Sequence, residues 1–221
     1  MNTVLEQVRD FVKEQHELYV PSTEPELVDV PDMQFLMFDG KGMPDMNAGG
    51  SKGAETEFQQ AFSALYGLVY SLKMSPKKDD APAKYQNFKV APPEGLWWVA
   101  GAEKFDYATA KPEDWRWTLM IRVPDWVSAA DVQHFAEQME AKKHSDVYEK
   151  VRLERYHEGP SVQLMHIGSY DSETPNIEKL HAYAAAQGYQ LHGKHHEIYF
   201  GDPRRSAPEK LRTVLRQPVS N

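Results

Sequence analysis

The sequence predicts an α+β fold of two similar halves, with antiparallel sheets and a ligand cleft between them. Three observations carry this expectation. Apolar residues recur at helical spacing in some segments and alternate with period two in others. The order of those segments repeats along the chain. Two short stretches, MQFLMFDGKG before one long helix and VQLMHIGSYD before another, stand at matching places.

Residues 1–24 read as an amphipathic helix with Val4, Val8, Phe11 and Val12 on one stripe, ending in the turn YVPSTEPE. LVDVPDMQFLMFDGKG then reads as one or two strands broken by Pro31. The next loop holds Gly49, Gly50 and Gly53 but no G-K-[ST] sequence, so it reads as a connection and not a phosphate loop. A helix over roughly residues 54–73 follows. It places Phe58, Phe62, Leu65, Val69 and Leu72 on a core face, with Tyr66 and Tyr70 at its border as candidates for a pocket wall. YQNFKVA, GLWWVAG and WRWTLMIRV read as three strands.

SAADVQHFAEQMEAKK is a second helix, with Ser128 as N-cap. The order then repeats. VRLERYHEG and PSVQLMHIGSY are strand-like, PNIEKLHAYAAAQG is a helix ended by Gly188, and LHGKHHEIYF and LRTVLRQPV are strands. Two such halves, each with a helix on one sheet face, leave a cleft where they meet.

The totals exclude several classes. With no cysteine among 221 residues there is no disulfide framework, thiolate nucleophile or zinc-thiolate site, which suits a cytoplasmic address. No run approaches a membrane span, and the start of the chain lacks the pattern of a signal peptide. A formal net charge of −8 argues against a nucleic-acid partner, which needs Lys and Arg massed on one face.

The densest chemistry lies in LHGKHHEIYFGDPRR. Strand alternation puts His195, Glu197 and Tyr199 on one face and His192, Lys194 and His196 on the other. A carboxylate on a central strand is expensive to bury unpaired. Glu197 is therefore either salt-bridged, with Arg212 or Arg216 within reach, or kept for function. His192, His195 and His196 raise the question of a metal, but His195 and His196 face apart and no H-E-x-x-H is present, so no metal is expected. Trp97, Trp98, Trp115 and Trp117 supply more flat apolar surface than a small core usually needs, as a pocket for planar ligands would.

Taken in order, YGLVYSLK, APPEGLWW, DWRWTLMIRVP, VQLMHIGSYDSE and HEIYFGDPRRSAPEKLRTVLRQPV resemble the GyrI-like small-molecule-binding family, related to the effector-binding domains of multidrug-sensing transcription activators. The resemblance implies a duplicated βαββ-type domain over residues 25–221, with halves at about 27–124 and 149–219 and the first 24 residues as a helical appendage. It implies a buried glutamate matching Glu197, a hydrophobic aromatic ligand and no cofactor. Some stand-alone members resemble hydrolases that open cyclopropane-bearing DNA-alkylating compounds. That reading gives Glu197 the task of activating water and Tyr70 that of stabilising the developing phenolate. Trp97, Trp98, Tyr107, Trp117 and Tyr170 would wall the substrate, with His166 and His195 as polar contacts. Glu94 reads as an organiser of its loop or as a surface carboxylate. The alternative is a binding or sequestration module for aromatic or cationic drugs. The family's gyrase-inhibitor name also suggests a topoisomerase as protein partner, but no segment locates such an interface.

Overall fold

The structure, a computed structural model, describes residues 8–44, 56–102, 110–202 and 205–221. Two single-turn helices, α1 (Phe11–Glu14) and α2 (His16–Tyr19), precede the long strand β1 (Glu26–Lys41). Helix α3 (Glu57–Met74), β2 (Pro93–Val99) and β3 (Trp115–Arg122) follow, and α4 (Ala129–Lys143) leads to β4 (Arg152–Ile167). Helix α5 (Thr174–Ala186), the short β5 (Gln190–Leu191), β6 (His195–Phe200) and β7 (Arg212–Ser220) complete the chain. Strand, helix and two strands (β1, α3, β2, β3) thus precede α4, and strand, helix and three strands (β4, α5, β5, β6, β7) follow it.

All of the ladders are antiparallel. The strands run β4-β1-β3-β2-β6-β7-β5, and a further pairing of β4 with β7 closes six of them into a ring. The expected pair of sheets is therefore one sheet: β1 pairs with β4, and β2 with β6. Closure removes the open edges that each half would otherwise expose.

The helices cover the outer face. The capping box of α3, Thr56 with Gln59, and that of α4, Ser128 with Asp131, fix both helix starts. The apolar stripe of α3 brings Leu65, Leu68, Val69 and Leu72 into the main core with β1 and β3. Ile177, Leu180 and Ala184 of α5 pack on Val162, Leu164, Leu215 and Val219 of β4 and β7. With helices outside and side chains filling the ring, β1 is buried on both faces from Met33 to Phe38.

Three expectations change. Over the described part of the N-terminal segment, which leaves out Val4, the expected helix is two single turns broken at Gln15, where φ is −130° and ψ 55°, and the break lets both Phe11 and the Leu18-Tyr19 pair reach the core. YQNFKVA forms no ladder strand. Phe88 makes an isolated bridge to Arg9, while Tyr85 and Phe88 pack their rings on Trp126. The stretches read as two strands around Gly159 are one strand, β4, in which Gly159 takes φ +73°. No helix among the described residues is long and apolar enough to cross a membrane.

Candidate functional site

Alternation along β6 carries His195, Glu197 and Tyr199 to one face. Glu197 stands opposite Leu215, which packs beneath α5, so this is the outer, helix-covered face. On its other side Glu197 stands opposite Gly95 of β2. A Cβ at Gly95 would lie 2.8 Å from both Trp97 Nε1 and the Tyr199 hydroxyl, so only glycine lets these two groups meet there.

They meet through a short relay. Trp97 Nε1–H donates to the Tyr199 oxygen at 2.8 Å, and the Tyr199 hydroxyl donates to Glu197 Oε2 at 2.7 Å. His195 Nε2 lies 3.4 Å from Glu197 Oε1. Neither arginine left open by the sequence forms a described pair with Glu197. Arg216 projects to the opposite face and bonds Glu158 and Gln163, and Arg212 is exposed. Glu197 is 9% exposed and depends on neutral or weakly basic neighbours.

Acidic groups gather around it. Burial, and then the charge of Glu197, pushes Glu173 at the start of α5 well above the usual carboxylate range. Burial raises Tyr199, with Glu197 adding to the shift, and raises Tyr170, with Glu173, Glu197 and Asp202 adding to it. The Tyr170 ring stands edge-on to Tyr199, 5.7 Å between centroids. Tyr66 is pushed up to about 12 by burial, then by Tyr70 and Asp202. The charge of Asp202 therefore reaches tyrosines on both sides, Tyr66 of α3 and Tyr170 before α5.

An aromatic row runs along α3 at four-residue spacing. Tyr70 stacks on Tyr66 at 6.2 Å, Tyr66 on Phe62 at 6.4 Å, and Phe62 meets Phe58 edge-on at 5.1 Å. Phe58 reaches Trp97 at 5.9 Å and Trp117 at 5.1 Å. The row thus leads from Tyr70, 50% exposed, inward to the Trp97-Tyr199-Glu197 relay.

The remaining expected residues lie as follows. Trp117 is buried against Phe38 and Phe58 and over Gly40, where a Cβ would fall 2.1 Å from its ring. Trp98 faces the other way, with Lys194 Nζ 3.7 Å from its ring centroid. His166 is tied to Ser169 O and to Asn176, anchoring the turn before α5. Tyr107 lies outside the described residues. His195 and His196 diverge to opposite faces, and no three His, Cys, Asp or Glu side chains among the described residues converge as a metal site.

Sequence reasoning missed a second polar cluster on the inner face. His196 holds Glu158 at Nδ1, 2.9 Å away, and Glu94 at Nε2, 3.0 Å away. Arg216 bonds Glu158, Gln163 and the carbonyl of Leu18, and Tyr19 donates to Glu94 at 3.4 Å. Glu94 is thus fully buried, neither a surface carboxylate nor a loop organiser. Burial alone would lower His196, but Glu158 and Glu94 raise it to about 9. A cleft of about 380 Å³ opens nearby, lined by Tyr19, Val20, Met165, Phe200 and Arg212. It lies away from Glu197, because Met165 and Phe200 alternate onto the inner face.

The closed antiparallel sheet with helices on its outer face defines an α+β domain. The family model for the GyrI-like small molecule binding domain matches residues 23–220, and the chain belongs to that family. No curated protein sequence matches the chain. A hydrolase from Listeria innocua is 36% identical over 96% of this chain and 100% of its own, with a TM-score of 0.82. An uncharacterized conserved protein from the same organism is 38% identical over the same shares, with a TM-score of 0.83. The C-terminal domain of EcmrR, 13% identical over 90% of this chain and 98% of its own, shares the fold at a TM-score of 0.53.

Proposed function

We propose that the chain binds a flat, hydrophobic aromatic molecule on its outer face and hydrolyses a strained electrophile of the cyclopropanoid class. The observation that carries this reading is a nearly buried Glu197 held by Tyr199 and His195, with no arginine or lysine bonded to it among the described residues. A carboxylate used only as structural glue would be expected to pair with a cation. The name hydrolase, borne by a protein 36% identical over nearly the whole chain, supports turnover as well as binding.

In this mechanism Glu197 takes a proton from water as its oxygen attacks the strained carbon. The ring C–C bond breaks and its electron pair moves into the conjugated carbonyl. Trp97, Tyr170 and Tyr199 hold the planar substrate, and Tyr66 and Tyr70 form the outer wall. We read the recurring strand, helix, strand, strand order as a duplicated half, which would place the ligand between α3 and α5.

A second reading is favoured by one observation. Glu173 and Glu197 lie on one face with no Lys or Arg bonded to either among the described residues, and such a field would draw an aromatic cation into a site that only binds. Incubation with a cyclopropane-bearing alkylator, followed by mass spectrometry of the ring-opened product, separates the two. Under the first reading Glu197→Gln binds but loses turnover. Unchanged turnover in that variant removes Glu197 as base, and tight binding without product from the wild type favours sequestration.

A further inference from the structure

We propose that Glu173 is the proton donor of this site, the acid that stands beside the base Glu197. The inference rests on the hydrolase reading above and supplies the half of the reaction that reading leaves open.

Glu173 is 5% exposed, and its Oε1 has no hydrogen-bond partner. An ionised carboxylate in that state would forfeit its hydration for little more than one hydroxyl contact from Thr213, whereas a neutral carboxyl loses far less. Its place at the start of α5 does not offset this, because its side chain makes no cap bond to the helix amides. The charged and titratable groups that act on it or feel it are Glu197 and Tyr199 of β6 and Tyr170 and Asp171 of the preceding turn. Nearly all are acids. The bases nearby are His195, beside Glu197, and His166, which bonds Ser172 and Asn176 at the turn into α5. Thr213 of β7 eases the charge on Glu173 in part.

A second buried polar group marks the same spot. Thr213 Oγ1 is fully buried, and its polar neighbour is the Glu173 carboxyl, on which it acts as a hydrogen-bonding group. Thr213 stands opposite Tyr199 in the β6–β7 ladder, so it shares the face that carries Glu197. A buried acid and a buried hydroxyl thus lie together at the relay, with Glu173 Oε1 left unmet. Native interiors seldom leave such groups unmet unless something else binds there.

The step balances. Glu197 gains the water proton as the C–O bond forms and the ring C–C bond breaks. The pair of electrons released appears as an enolate or phenolate oxygen, and Glu173 gives that oxygen its proton. Passage of the proton from Glu197 back to Glu173 restores both groups. Burial and the charge of Glu197 both disfavour ionisation of Glu173, so in the resting state the proton is held on Glu173. This assigns to Glu173 the role expected of Tyr70, whose described contact is the Tyr66 ring.

The test uses the full chain with glutamate carbon-13 labelled at the carboxyl. At pH 7 the Glu173 resonance, assigned by its loss in Glu173→Gln, should have the shift of a neutral carboxyl. In the same chain, turnover of a cyclopropane-bearing electrophile should fall as pH rises through the Glu173 titration. Glu173→Gln should bind within about twofold of wild type yet turn over about a hundredfold slower, with that alkaline limb gone. Glu173→Asp, which keeps an acid, should recover part of the rate. A resonance typical of an ionised carboxylate at pH 7 overturns the proposal, as does a Glu173→Gln variant with wild-type rate and pH profile. A wild type that binds the electrophile but never opens it overturns the hydrolase reading instead, and the donor role falls with it.

Discussion

The Tyr199 hydroxyl sits 2.7 Å from Glu197 Oε2, with the two residues two apart on β6 and on the same outer face. The same oxygen accepts from Trp97 on the neighbouring strand. One phenol thus orients the carboxylate and fixes an aromatic wall. Tyr199→Phe would deprive the buried Trp97 indole of its acceptor and Glu197 of a donor. Stability should fall by about 1–3 kcal/mol, read from urea unfolding, and ligand affinity should fall with it.

Gly95 is the position that lets the relay close. In Gly95→Ala the new methyl would fall 2.8 Å from Trp97 and from Tyr199, inside any real contact distance. The variant should lose about 1–3 kcal/mol by overpacking and show a shifted tryptophan emission spectrum. An unaltered spectrum with wild-type ligand binding would mean that the Trp97–Tyr199 contact is not needed.

The inner cluster has its own pH signature. His196 rises from 6.5 to about 9 on folding, so its contribution is fully present below about 6.5 and is lost as pH climbs through 9. For Glu158, burial raises the carboxyl, but His196 and Arg216 outweigh it and hold it below its usual 4.5. Its contribution is present above 4.5 and is lost as pH falls below that value. Urea midpoints should therefore decline on the alkaline side between pH 7 and 10, and His196→Gln should be less stable near neutrality yet lack that decline.

The first described residues take part in the same cluster. The carbonyls of Glu17 and Leu18 accept from Gln163 and Arg216, and Arg122 Nη1 donates to the Tyr19 hydroxyl at 3.3 Å. A chain beginning at Pro21 would leave several buried donors unmet and should lose at least about 2 kcal/mol by urea unfolding. Equal stability of the shortened chain would show the segment to be an independent appendage.

Much of the outer site was legible because period two is a local property. The shared face of His195, Glu197 and Tyr199, the Ser128 cap and the aromatic row of α3 follow from spacing alone. Glu173 gave no such signal. It begins a helix, where an acid is ordinary, and its burial comes from β6, β7 and the Tyr170 turn packing around it. Glu158 was hidden for a different reason. It and Gln163 both bond Arg216 although an odd number of positions apart, with Gly159 at φ +73° between them, so simple alternation does not group them.

The sequence by itself determined the α+β class, most strand and helix positions and the candidate carboxylate Glu197, since these rest on local periodicity and capping. Only the tertiary structure decided that the strands close into one ring, that Arg216 turns to Glu158 and leaves Glu197 to Tyr199, and that Glu173 joins it. Those outcomes depend on pairings between residues tens to more than a hundred positions apart, which spacing along the chain does not encode.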